Sequence, residues 1–108
     1  MNMEMAQYIL QILKSQLMVV FSWGFHHPVA IQNGLRFSVN GYLHKGQVEV
    51  IYDEGWDLFT VRAINTDGTI KEEQEGIYLD CLIATIDAMV EKGPGYAERV
   101  RRDLGLSK

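Results

Sequence analysis

The sequence predicts an α+β fold, with helices packed on one face of a three- or four-stranded antiparallel meander. Three observations predict it. Apolar residues recur at helical spacing from about Asn2 to Phe21. From Leu35 the period falls to two, with glycine-containing turn signals at Lys45-Gly46 and Gly55-Trp56. Helical spacing then returns after Gly76. A chain of 108 residues has room for one core, so a single domain over residues 1–108 is expected.

In the first segment Met5, Tyr8, Ile9, Ile12, Leu13, Val19 and Val20 form an apolar stripe, which Leu10, Leu17 and Phe21 widen. An ordinary surface helix has a narrower stripe. The segment is therefore buried on two sides or meets a partner. Gly24 suits a left-handed helix cap, and Pro28 prevents the helix from resuming. Next, Leu35, Phe37, Val39 and Leu43 alternate with polar or amphipathic residues, the pattern of a half-buried strand.

A two-residue turn at Lys45-Gly46 would pair Leu43 with Val48 and Val39 with Tyr52. A type II′ turn at Gly55-Trp56 would pair Tyr52 with Phe59, Val50 with Val61 and Val48 with Ala63. The outer face then brings Glu49 and Glu73 to either side of Arg62. Asp67-Gly68 leads into Ile70 to Glu75, a mostly charged stretch expected at a sheet edge. After Gly76, Leu79, Leu82, Ile83, Ile86, Met89 and Val90 form one stripe, with Ile83 and Ile86 in the core. Cys81, Ala84, Thr85 and Ala88 form a small-residue face suited to close packing against the first helix. Asp80, Asp87 and Glu91 lie on a narrow acidic strip. Gly93-Pro94-Gly95 ends this helix, and a short last helix spans Tyr96 to Leu104.

Composition narrows the function classes. Apolar residues at 47% and charged residues at 22% exclude a disordered or collagen-like chain. Ten basic against fourteen acidic residues give −4, which disfavours general affinity for nucleic-acid backbones. The single cysteine, Cys81, requires no oxidising compartment. The N-terminal segment lacks a basic start and is interrupted by Glu4, Gln7, Gln11, Lys14 and Gln16, so it does not read as a signal peptide. The longest unbroken apolar run in that segment is Leu17 to Phe21, far short of the about 20 residues of a membrane span. These readings place the protein in the cytoplasm, away from membranes.

No residue pattern carries a specific chemistry. His26-His27 and His44 are the only histidines. Adjacent histidines in an extended segment point to opposite sides and chelate poorly. Asp53, Glu54, Asp57 and Asp67 sit at turn signals, where carboxylates stabilise the turn. Cys81 beside Asp80 is expected to serve packing, since a neighbouring carboxylate disfavours the thiolate. No metal site, cofactor site or catalytic set is expected. Arg99, Arg101 and Arg102, with Lys108, form the one basic cluster, which Glu98 and Asp103 dilute. Trp56, at a hairpin tip, fits either a recognition surface or a local packing lid folded back onto the strand.

The order helix, three strands, helix is similar to that of double-stranded RNA-binding domains. Such domains clamp phosphates with lysines at the start of the second long helix. Here that segment reads Gly76-Ile77-Tyr78-Leu79-Asp80, so no functional residue carries over. The stretches Ser22-Trp23-Gly24-Phe25-His26 and Asn33-Gly34-Leu35-Arg36-Phe37-Ser38-Val39 resemble segments of small bacterial proteins with no assigned activity.

The expected function is a small non-enzymatic protein-interaction or regulatory module, with a homodimer as one form. Its contact surface is expected on the uncovered sheet face, from Tyr42, Ile51, Leu58, Arg62 and Ile64, extended by Trp56. The alternative is a nucleic-acid-binding module using Arg99, Arg101 and Arg102.

Overall fold

The computed structural model describes residues 3–91. The expected helix Tyr96 to Leu104 and the cluster Arg99, Arg101 and Arg102 lie outside them. Two helices, α1 (Glu4–Lys14) and α2 (Leu17–Ser22), precede five strands: β1 (His26–Ile31), β2 (Gly34–Asn40), β3 (Lys45–Asp53), β4 (Leu58–Asn65) and β5 (Ile70–Ile77). A 3-10 turn over Leu79–Cys81 leads into α3 (Leu82–Val90). The strands form one antiparallel sheet in the order β1-β2-β3-β4-β5. The α+β class and the meander are as expected, with one strand more at the β1 edge. Five strands and a divided first helix also depart from the double-stranded RNA-binding order.

The first helical segment is not continuous. Gln16 leaves the helix at φ −139° and ψ 64°. Ser15 N–H and Gln16 N–H turn back to Ile12 O and Leu13 O, both at 3.1 Å, and Ser15 Oγ donates to Ile12 O at 2.6 Å. Serine offers the backbone this alternative to further helical bonding. The break lets Ala6, Ile9 and Leu13 of α1 and Val20 of α2 all enter one core. Gly24, at φ +69°, ends α2 as expected, with its N–H donating to Phe21 O at 3.0 Å.

β1 was not expected. Its hairpin with β2 pairs Ile31 with Gly34 across Gln32-Asn33, where Asn33 takes φ +56°. Pro28 is tolerated because β1 is an edge strand, and a bulge between His26 and Val29 absorbs His27 at φ +53°.

β3 and β4 pair as expected: Val48 with Ala63, Val50 with Val61, Tyr52 with Phe59. The turn differs. Asp57, not Gly55, has positive φ, and Asp53 Oδ1 accepts Gly55 N–H at 3.0 Å and Trp56 N–H at 3.4 Å. The β2–β3 register is corrected. Phe37, rather than Leu43, faces Val48, and Val39 faces Gly46. The offset is six residues, an even number, so the inward and outward sets survive. The connection is the four residues 41–44, which include Tyr42 and Leu43. It is held by Gly41 N–H to His44 O at 3.0 Å and Leu43 N–H to Val90 O at 2.7 Å. A Cβ on Gly41 would lie 2.3 Å from Val90 Cγ1, so only glycine permits this approach of α3.

β5 is an exposed edge strand, as its charges indicated. It runs through Gly76 and Ile77, residues expected in the helix. The inward residues Leu35, Phe37, Val39, Val48, Val50, Phe59, Val61 and Ala63 join those of the helices in one core. α1 packs over β1 and β2, and α3 over β4 and β5. Ile83 and Ile86 are buried as expected. Two expectations for α3 fail. Cys81, Ala84 and Ala88 are exposed, so the small-residue face is not a helix contact among the described residues. Asp87 is buried, because its Oδ1 accepts the Trp23 indole N–H at 2.9 Å.

Candidate functional site

Among the described residues, α2 and the outer sheet face are two of the surfaces that present apolar side chains to solvent. The first is α2. Val20 points into the core at 4% exposure, whereas Leu17, Met18 and Phe21 are 47%, 81% and 66% exposed. Positions i, i+1 and i+4 lie on one side of a helix. The break at Gln16 turns this side outward. Sequence reading placed Leu17 and Phe21 in the stripe of one long helix. A stripe too wide to bury was the available signal, but it could not tell which residues would stay exposed.

The second is the outer sheet face. Strand pairing aligns Arg36, Glu49, Arg62 and Glu73 in a row across β2, β3, β4 and β5. Arg36 donates to Glu49 Oε2 from Nε at 3.0 Å and from Nη2 at 2.9 Å. Arg62 Nη1 lies 3.5 Å from Glu49 Oε1, and Arg62 Nε pairs with Glu73. The hydrogen bond to Glu73 is the largest cause of a raised Arg62 pKa; burial opposes it, and the charges of Glu73 and Glu49 raise it further. The expected Glu49–Arg62–Glu73 cluster is therefore present, with Arg36 added, and Glu49 is only 8% exposed.

This row divides the face. Ile51 and Leu58, with Thr60, lie on its β3–β4 hairpin side, and Ile64 lies on the other. All are half-buried. Trp56, 77% exposed, lines a shallow groove with Asp53, Leu58 and Thr60. Tyr42 does not belong to this face. It sits in the 41–44 loop, where its N–H donates to Glu91 Oε1 at 3.0 Å. The loop replaced the strand that would have carried it outward.

The His26 and His27 rings meet rather than pointing to opposite sides as expected, because His27 takes φ +53° in the β1 bulge. His26 Nδ1 donates to Gly24 O at 2.7 Å, and His27 packs edge-on against it at 5.0 Å. His44 is 2% exposed, its Nε2 donating to Gln47 O at 3.1 Å. Among the described residues no group of histidine, cysteine and carboxylate side chains could hold a metal ion. The carboxylates of Asp53 and Asp67 hold their turns as expected: Asp53 Oδ1 accepts Gly55 N–H at 3.0 Å, and Asp67 Oδ1 accepts Thr69 N–H at 3.0 Å and the Thr69 hydroxyl at 2.6 Å, whereas the Asp57 carboxylate accepts the Tyr52 hydroxyl. The two Thr69 bonds lower the Asp67 pKa, the hydroxyl first. Cys81 is an exposed free thiol rather than a packed one.

Among the described residues no helix is long and apolar enough to cross a membrane. No family model matches the chain, and no curated protein or solved structure matches it.

Proposed function

We propose that this chain is a protein-interaction module that self-associates through the apolar side of α2. The observation that carries the reading is the outward cluster Leu17, Met18 and Phe21 on a helix whose opposite side is already committed to the core. Clustered exposed apolar side chains mark contact sites more often than scattered ones do. A stable interface buries about 1,200–2,000 Å² in total, so the six residues of α2 are its centre and neighbouring surface its rim. We place the module in the cytoplasm, since its single cysteine, Cys81, requires no oxidising compartment.

Sedimentation velocity over a wide concentration range tests this. The expected result is a concentration-dependent dimer that Met18→Glu or Phe21→Glu abolishes at unchanged thermal stability. A monomer at every concentration overturns the self-association.

A second reading uses the outer sheet face, favoured by the exposure of Trp56 next to Leu58. Ile51→Glu and Leu58→Glu would then weaken association while Met18→Glu would not. The nucleic-acid alternative, resting on Arg99, Arg101 and Arg102, is the weakest. Residues 3–91 carry five basic against twelve acidic side chains, a charge that repels phosphate backbones.

A further inference from the structure

A groove on the helical side of the sheet, at the β3–β4 hairpin end, has a different chemistry from the surfaces above. It is lined by Tyr8 of α1, Tyr52 of β3, Phe59 of β4 and Tyr78 before the 3-10 turn, with Asp57 and Asp80 at its margins, and encloses about 730 Å³. Met5 and Leu79 supply its aliphatic wall. Tyr8 and Tyr78 are 45% and 66% exposed, so their rings are open to a ligand. Tyr52 is fixed. Its ring centroid lies 5.4 Å from that of Phe59, and its hydroxyl donates to Asp57 Oδ1 at 2.5 Å. A shallower extension shares Met5, Tyr8 and Tyr52 and adds Glu4 and Glu54. No lysine, arginine or histidine lines either part.

Aromatic faces attract cations through their quadrupole, and carboxylates at the margin add Coulombic attraction. Aliphatic walls beside them suit the methylene stem of a long basic side chain. An anion or a neutral apolar peptide would gain nothing from four carboxylates. From this charge complementarity we propose that the groove is a docking site for a lysine- or arginine-bearing segment of a partner protein, its basic head between the tyrosines and Asp57 or Asp80. The groove shares no lining residue with Leu17, Met18 and Phe21 of the α2 surface and does not depend on it.

The test uses the full chain and a capped peptide of alternating alanine and arginine, followed by calorimetry and by NMR of the tyrosine rings. The control peptide carries glutamine in place of arginine. The expected result is saturable binding of the arginine peptide alone, with shifts at Tyr52 and Tyr78 and affinity that falls as salt rises. Tyr78→Ala and Asp57→Asn should each weaken it at least about fivefold, in line with the loss of one partly desolvated cation–π or charge contact. Met18→Glu should leave it unchanged. Equal binding of the glutamine peptide, insensitivity to Tyr78→Ala or no binding overturns the proposal. A variant with Arg99, Arg101 and Arg102 all changed to glutamate separates a further occupant. If the peptide binds only in that variant, this chain's own C-terminal segment holds the groove and the partner assignment fails.

Discussion

Asp87 shows how one residue joins distant parts of the chain. It lies 64 positions from Trp23 in sequence, yet its carboxylate takes the indole N–H. Trp23 is fully buried and stacks on Phe37 at 6.3 Å. A buried tryptophan needs an acceptor for that N–H. Asp87→Ala would leave the donor unsatisfied and should cost about 1–3 kcal/mol, measured by urea unfolding. A change within error would show that the bond does not contribute. Asp67 makes a pH-dependent contribution. Its folded pKa is depressed by the Thr69 hydroxyl and N–H. The unfolded chain therefore protonates first as pH falls. The contribution is complete above the ordinary carboxylate pKa and disappears as pH drops through the lower folded value. Asp67→Asn should flatten that acid limb, and Thr69→Val should return the Asp67 pKa, followed by NMR, towards its ordinary value.

At the scale of elements, local chemistry decided some boundaries and contacts between elements decided others. The β3–β4 hairpin was legible because its inward residues match on both strands, so any one-residue slip would expose an apolar set. That match gave the right register even though the turn takes a different form from the expected one. The β1–β2 hairpin carried a signal as well. Asn33-Gly34 is a common hairpin turn pair, although the loop residues are Gln32-Asn33, and β1 has Pro28 and two histidines in place of clear alternation. Its edge position makes them acceptable. The β2–β3 connection carried the same pair, Asn40-Gly41, but the alternation led past it to Lys45-Gly46. Leu43 keeps the inward parity beyond Gly41, yet the strand stops at Asn40, where Val90 O takes the Leu43 N–H and α3 crowds Gly41.

For the whole molecule, the sheet protects its edges and leaves its apolar surplus elsewhere. β5 carries Lys71, Glu72, Glu73 and Glu75, and β1 carries Pro28 and a bulge. Both devices discourage strand addition. The row Arg36–Glu49–Arg62–Glu73 ties four strands together on the open face. Glu49 is its centre, largely buried between two arginines. Glu49→Ala would remove both ion pairs and leave two guanidinium groups facing each other. The expected cost is about 1–3 kcal/mol, reduced from that of a fully buried pair because both arginines remain partly exposed. Chemical denaturation checks it, with a double-mutant cycle through Arg36 to isolate the pair. Near-zero coupling would mean that the row marks register and adds no stability.

The sequence by itself determined the α+β class, the core faces of the strands, the β3–β4 register, the charged edge strand and the glutamates around Arg62. Each follows from periodicity or from pairing between neighbours in the chain, which side-chain patterning encodes directly. Tertiary structure decided the break between α1 and α2, the end of β2, the burial of Asp87 and the displacement of Tyr42 from the sheet face. It also decided which apolar residues face solvent: Leu17, Met18 and Phe21 on α2 and the tyrosines of the groove. An amphipathic pattern shows how much apolar surface a segment has, and only the packing of other elements against it shows how much of that surface is covered.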